Sequence, residues 1–270
     1  MKTALLVLCA AIASAQIEDR STEHRSYAGV HELIIDNISG DIEVTAQSGG
    51  NVEMDIEKTL SARSNDRLAI ARKEISLAER REGGLVELTV DGPFRCHCAD
   101  NSTRFEGHQL YEFRYAFKVR VPKNIALELH DVNGSRIFVQ GTSGDFNLSN
   151  VNGGIEMRDV EGSGKVHTVN GDVKVTFARN PPGATSFRSV NGTLDVAFRS
   201  GLNADLKMKT FNGGVYTDFP VTTLAAQPEQ RGGKLVWSSR RATTARAGSG
   251  GPELSFETLN GPVLIRNRDK

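Results

Sequence analysis

The sharpest local chemistry in the sequence is Cys96-His97-Cys98, with His108 downstream. Two thiolates and two imidazoles are donors enough for a tetrahedral zinc site, but zinc sites usually leave two or more residues between paired cysteines, and here there is one. The chain starts like an exported protein, and an oxidising compartment favours disulfides. Three states therefore stand open for Cys96 and Cys98: a disulfide (within the loop or between chains), a pair of free thiols, or a metal or redox site that includes His97 and His108.

A second set is acidic. Asp131, Asp145, Asp159, Asp172 and Asp195 recur through the latter half of the chain. Carboxylates gathered on a β surface can bind calcium or take a proton from a sugar, as polysaccharide-cleaving enzymes do. Lys165, Lys174 and Arg158 lie between them. The expectation is that all five face water as ordinary solvated charge. Gly153-Gly154-Ile155-Glu156 breaks the calcium-binding nonapeptide pattern. The sequence has no Gly-x-Ser-x-Gly elbow, phosphate loop or His-Glu-x-x-His helix, so no catalytic residue, cofactor or metal is predicted. Arg240, Arg241 and Arg246 form a basic cluster with some attraction for acidic glycans or headgroups, and ordinary solvation is the expected state. Glycosylation sequons begin at Asn101, Asn147 and Asn191; the latter two read as chance matches within strand-turn units.

These residues hang on a repeated unit: apolar, any, apolar, any, any, apolar, then a polar residue and Gly. Leu127, Leu129 and Val132 precede Asn133-Gly134, and Phe146, Leu148 and Val151 precede Asn152-Gly153. Leu206, Met208 and Phe211 precede Asn212-Gly213, Leu254, Phe256 and Leu259 precede Asn260-Gly261, Val166 and Val169 precede Asn170-Gly171, and Asn191-Gly192 is a further turn of this kind. The unit recurs at Ile38-Ser39-Gly40, and at Ile155, Met157 and Val160 before Glu161-Gly162. Alternation predicts half-buried strands. The extra residue before the third apolar position breaks parity, so the chain is expected to bend there and keep that side chain inside. Asn and Gly are expected in left-handed conformations at the turn. Such units cannot bury an apolar face alone, but stacked copies share a core. The predicted fold is all-β, a solenoid or β-helix-like stack of short strands. An antiparallel meander is the competing arrangement, since Asn-Gly is also a strong hairpin signal.

Ahead of the repeats, a strand is predicted over Val52 to Leu60 and a short helix from Ser64 or Asn65 through Arg72. Two strands joined at Gly83-Gly84 follow, then a long strand from Tyr111 to Val121, stopped by Pro122. A further short strand is predicted from Lys234 to Trp237. Lys2, the apolar run Ala4 to Ile12 and Ala13-Ser14-Ala15 read as a signal peptide, so the organisation expected is 1–15 leader, 16–120 N-terminal β section, and 121–270 β repeats. Cys9 falls inside that leader. With 33 basic against 33 acidic residues, no net field draws the chain to nucleic acid. No later stretch is long and apolar enough to be a membrane helix.

Asn37-Ile38-Ser39-Gly40-Asp41-Ile42-Glu43-Val44, Val121-Pro122, and the series Val151-Asn152-Gly153, Val169-Asn170-Gly171 and Val190-Asn191-Gly192 resemble the bacterial putative-adhesin domain of unknown function. The resemblance runs from about Tyr27 to Arg268. It implies a cell-surface or envelope role and no catalytic residues. Together these readings predict an exported, non-enzymatic scaffold or binding protein of the periplasm, cell surface or extracellular space, whose partner is an envelope or surface component, protein or glycan. A β-helical enzyme using Asp145, Asp159 and Asp172 on polysaccharide, or a sensor built on Cys96, His97, Cys98 and His108, are the alternatives.

Overall fold

The computed structural model describes residues 16–95, 111–134, 136–224, 229–231, 234–236 and 243–270. The leader, Cys96, His97, Cys98, His108, the sequon at Asn101, Trp237, Arg240 and Arg241 lie outside them. Among the described residues the chain is almost entirely β, with one helix and two large mixed sheets.

The first part comprises β1 (Ile17–Ala28), β2 (Glu32–Asp36), β3 (Ile42–Gln47), β4 (Asn51–Ala62), α1 (Asn65–Glu74), β5 (Ser76–Glu82), β6 (Leu85–Asp91) and β7 (Tyr111–Pro122). Next come β8 (Ala126–Asp131), β9 (Arg136–Gln140), β10 (Phe146–Asn150), β11 (Gly154–Val160), β12 (Gly164–Asn170), β13 (Val173–Phe177), β14 (Thr185–Asn191) and β15 (Leu194–Phe198). The last part holds β16 (Ala204–Asn212), β17 (Val215–Thr217), β18 (Val221–Thr223), β19 (Glu229–Arg231), β20 (Lys234–Val236), β21 (Thr243–Ala247), β22 (Glu253–Asn260) and β23 (Val263–Asn267). The predicted helix is α1, capped by Ser64, whose side chain accepts from the Arg67 N–H at 3.4 Å. It buries Leu68 and Ala71.

The Asn-Gly turns do not close hairpins. The strands on either side of each turn belong to different sheets, and from β8 to β15 every pairing is parallel. One sheet runs β7-β3-β9-β11-β13-β15-β23-β17, extended past β7 by β4 and β1; the other runs β6-β2-β8-β10-β12-β14-β22-β16, extended by β5 at one end and by β21 and β18 at the other. The two inner orders match pair for pair, giving eight rungs, each a strand of one sheet followed by a strand of the other. At the strand spacing of ~4.8 Å the eight span roughly 34 Å. Chain order is broken at both ends. The rung β6/β7 lies outside β2/β3, and the C-terminal rung β22/β23 is inserted between β14/β15 and β16/β17.

Both sheets alternate because one face of each is core. Leu33, Leu129, Leu148, Val166, Phe187 and Phe256 are fully or almost fully buried between the sheets. Near the C-terminal end four phenylalanines fill the interior: Phe177 stacks on Phe198 and Phe187 on Phe256, both at 5.2 Å, and edge-to-face contacts cross between the pairs.

The third apolar residue departs from expectation. It lies inside only at Val160, where Asp159 adopts φ 53° and the pairing register shifts. That bulge supplies the bend the parity argument requires. At the Asn-Gly units the strand runs on without a bulge, so parity holds. The preceding polar residue turns inward, and the third apolar residue turns outward. Val151, Leu259 and Phe211 are exposed; Ile38, Val132, Val169 and Val190 are half-buried.

The turn residues are corrected as well. Among described non-glycine residues only Asp159 has positive φ, so Asn133, Asn152, Asn170, Asn191, Asn212 and Asn260 are not left-handed. Of the turn glycines, Gly40, Gly162 and Gly261 have positive φ, whereas Gly134, Gly153, Gly171, Gly192 and Gly213 do not. A Cβ on Gly171 would stand 2.3 Å from the Gly153 carbonyl oxygen, and one on Gly192 1.9 Å from that of Gly171. Glycine is needed there because one rung's backbone rests directly on the next.

Candidate binding face

The outer face of the sheet containing β8, β10, β12, β14, β22 and β16 carries the most ordered set of side chains. Register aligns Ile38, Val132, Val151, Val169, Val190, Leu259 and Phe211 in one column, one residue per rung. Phe211 is 73% exposed and Leu259 46%. Val151 is exposed too, and the other four are half-buried.

Beside that column, at the turn, runs a ladder of amides. Asn152 donates to Asn133 at 2.9 Å, Asn170 to Asn152 at 2.9 Å, and Asn191 to Asn170 at 2.8 Å. Asn260 donates to Asn191 and Asn212 to Asn260, each at 2.7 Å. The ladder follows spatial order, so Asn260 precedes Asn212. The six asparagines are therefore a continuous hydrogen-bonded edge, and the Asn191 amide, spent on both sides, is a poor glycosylation acceptor. Asn170→Ala removes two of these bonds and is expected to cost about 1–2 kcal/mol. Asn170→Asp, which sets an acceptor against the Asn152 oxygen, should cost more. Urea unfolding of the two variants beside the parent measures the difference.

On the other side of the apolar column stand polar groups. His130 contacts Ser149 Oγ through Nδ1 at 2.6 Å and Glu128 through Nε2 at 2.8 Å. This order of hydroxyl, imidazole and carboxylate can pass a proton. Acyl transfer also needs free N–H donors for an oxyanion, and β10 is paired in parallel on both sides, which engages its backbone. Nothing in the pattern of residues hints at this trio, because Ser149 and His130 meet only through the β8/β10 register.

The C-terminal end of the face opens into a groove of ≈ 630 Å³ walled by Val190, Met208, Phe211, Val215 and Leu259, with Arg188 on its rim. Lys209 is also there, bound to Glu257 at 2.8 Å, which holds the Glu257 carboxyl below its usual range. Burial and the neighbouring Arg188 lower the pKa of His167.

The acidic residues do not gather. Asp145 accepts from the Ser163 N–H, Asp172 from the Thr193 N–H, Asp159 pairs with Arg268 at 2.5 Å and Asp195 with Arg266 at 2.8 Å. Among the described residues no group of three or more His, Cys, Asp or Glu side chains could hold a metal. Asp131 contradicts the expectation of solvation outright: it is 2% exposed and faces the interior. Arg246 is engaged by Asp205 through two contacts of 2.7 and 3.0 Å. No helix among the described residues is long and apolar enough to cross a membrane.

No family model matches the sequence. None of the curated proteins matches it. Solved structures are similar to it at low identity. A "putative cell adhesion protein" from Clostridium sporogenes superposes with TM-score 0.45 at 10% identity, over 93% of this chain and all of its own. A "putative adhesin" from Bacteroides fragilis gives 0.37 at 12%, covering 92% and 97% of the two chains. A "putative lipid binding protein" from Parabacteroides distasonis gives 0.30 at 11%, covering 92% and 96%.

Proposed function

We propose that the chain is an exported, non-enzymatic scaffold or binding module of the cell envelope or extracellular space. In this reading the eight rungs wind as one β-solenoid, and its outer apolar face meets a surface component, protein or glycan. One observation carries the reading: an apolar column runs in register along the outer face, with Val151, Leu259 and Phe211 exposed and Val132, Val169 and Val190 half-buried, on a surface whose charges are otherwise largely ion-paired. A folded chain gains nothing by exposing such a row unless a partner covers it. The matching rung order of the two sheets supports the solenoid, and the leader-like first residues support export.

The test is binding of the mature chain to isolated cell envelopes of its source, with the double variant Leu259→Lys, Phe211→Ser as comparison. Both side chains are exposed, so melting should be unchanged while binding falls at least about tenfold, the loss of roughly 1.4 kcal/mol of contact. Equal binding by parent and variant removes the face from the proposal. Fractionation of the same cells tests export.

A further inference from the structure

Behind the outer apolar column lies its inward counterpart: Asn37, Asp131, Asn150, Thr168, Ser189 and Thr258, all buried. Register continues the row to Thr210. Buried polar groups need partners, and five of these side chains follow one rule. Each donates to the carbonyl of the turn glycine one rung away. Thr168 donates to Gly153 at 2.8 Å and Ser189 to Gly171 at 2.9 Å. Thr258 donates to Gly192 and Thr210 to Gly261, both at 3.3 Å. Asn150 reaches Gly134 at 3.5 Å.

By position, Asp131 should donate to Gly40. A Cβ on Gly134 would lie 1.7 Å from Asp131 Oδ2 and 2.3 Å from the Gly40 oxygen. The two oxygens therefore flank the space that glycine leaves. Oδ1 accepts the Val132 N–H at 2.7 Å, while Oδ2 has no partner, nor have Oδ1 of Asn37 and Oδ1 of Asn150. The N–H groups of Asn133 and Gly134 also lie near this carboxyl, but toward the Gly40 oxygen an ionised carboxylate, which can only accept, would at this step set acceptor against acceptor in a buried site.

We propose that Asp131 is protonated in the folded protein and donates to the Gly40 carbonyl, closing the inner row and making the seam between β2 and β8 sensitive to pH. The charges around it agree. On β2, Asp36 is held by Arg95 at 2.8 Å. In the turn before β3, Asp41 adds a negative charge that disfavours a second one, and Arg114 of β7 binds Asp41 at 2.7 Å. Arg136 of β9 is directed to Glu156. On β8 itself, His130 and Glu128 bond each other on the outer face. From β10 the group that faces Asp131 is the neutral Asn150. Burial pushes the Asp131 carboxyl up to about 7, with Asp41 adding to the rise, against the N–H groups of Val132, Gly134 and Asn133.

The sign follows from linkage. The folded state keeps the proton up to about 7, whereas an unfolded aspartate releases it near pH 4. Stability from this group is thus fully present below about pH 4, declines up to about pH 7 and then levels off.

The experiment uses the full mature chain, with Asp131→Asn, a neutral isostere that can donate, and Asp131→Thr, the residue type of neighbouring rungs. Parent and Asp131→Asn should melt together near pH 4. At pH 8 the variant should melt higher, by on the order of 5–10 °C. Infrared spectra of the parent at pH 5–6 should show the carbonyl band of a buried carboxylic acid, absent from whichever variant folds. Parallel melting curves from pH 4 to 8 together with a missing band overturn the proposal. So does a parent that gains stability at pH 8 on adding calcium while the variants do not, since a cation would then occupy the step.

Discussion

Gly192→Val is expected to lower the unfolding free energy by more than about 3 kcal/mol, and Gly192→Ala by most of that amount. The new Cβ would stand 1.9 Å from the Gly171 carbonyl oxygen and 2.5 Å from its carbon. Those atoms are backbone of the adjoining rung, so relief requires two rungs to separate, stretching parallel hydrogen bonds on either side of the turn. Gly201 is the control. Its φ is +74° and a Cβ there meets nothing within 4 Å, so Gly201→Ala pays only the left-handed penalty of about 1 kcal/mol. Urea unfolding of both alanine variants separates the two causes. Should Gly192→Ala unfold at the parent's midpoint, the close stacking described for the turns is wrong.

Phe256→Ala should cost about 3–5 kcal/mol, at the upper end for a core phenylalanine. Phe256 is fully buried, stacks on Phe187 at 5.2 Å and meets Phe198 edge-on at 6.3 Å. It belongs to the inserted rung, so neighbours on both sides hold the cavity walls in place and limit collapse. Phe256→Leu should recover roughly half of the loss. Denaturant midpoints with unchanged slope report this cleanly; a changed slope would mean that the C-terminal rungs unfold as a separate step.

Much of the architecture was legible. Alternation located most strands, Ser64 marked the helix start, and Asn-Gly marked where the chain crosses between sheets. What failed was parity. Counting inward and outward positions through Leu129, Asp131 and Val132 needs the turn's dihedral angles, and two apolar residues separated by a polar pair fit either a bulge or an unbroken strand. Val160 took the first course and Val132 the second. From that one ambiguity follow the misplacing of Asp131 in solvent and of the third apolar residue in the core. The candidate face was hidden for the same reason: its column exists only once register sets Val151 beside Val169 and Leu259 beside Phe211. The insertion of β22/β23 was invisible, because the unit at Leu254 reads like every other and nothing in its composition states its place in the stack.

That insertion has a temporal meaning. During synthesis β14/β15 and β16/β17 emerge before the rung that will divide them, and Leu254 later pairs with both Thr185 and Leu206. A nascent chain lacking its tail can set Thr185 directly against Leu206 with no slip in alignment, forming a shorter, self-consistent object. The ribosome must finish before β22/β23 can take its place between the other two rungs. A chain cut short before Glu253 would lack the rung that joins β14/β15 to β16/β17.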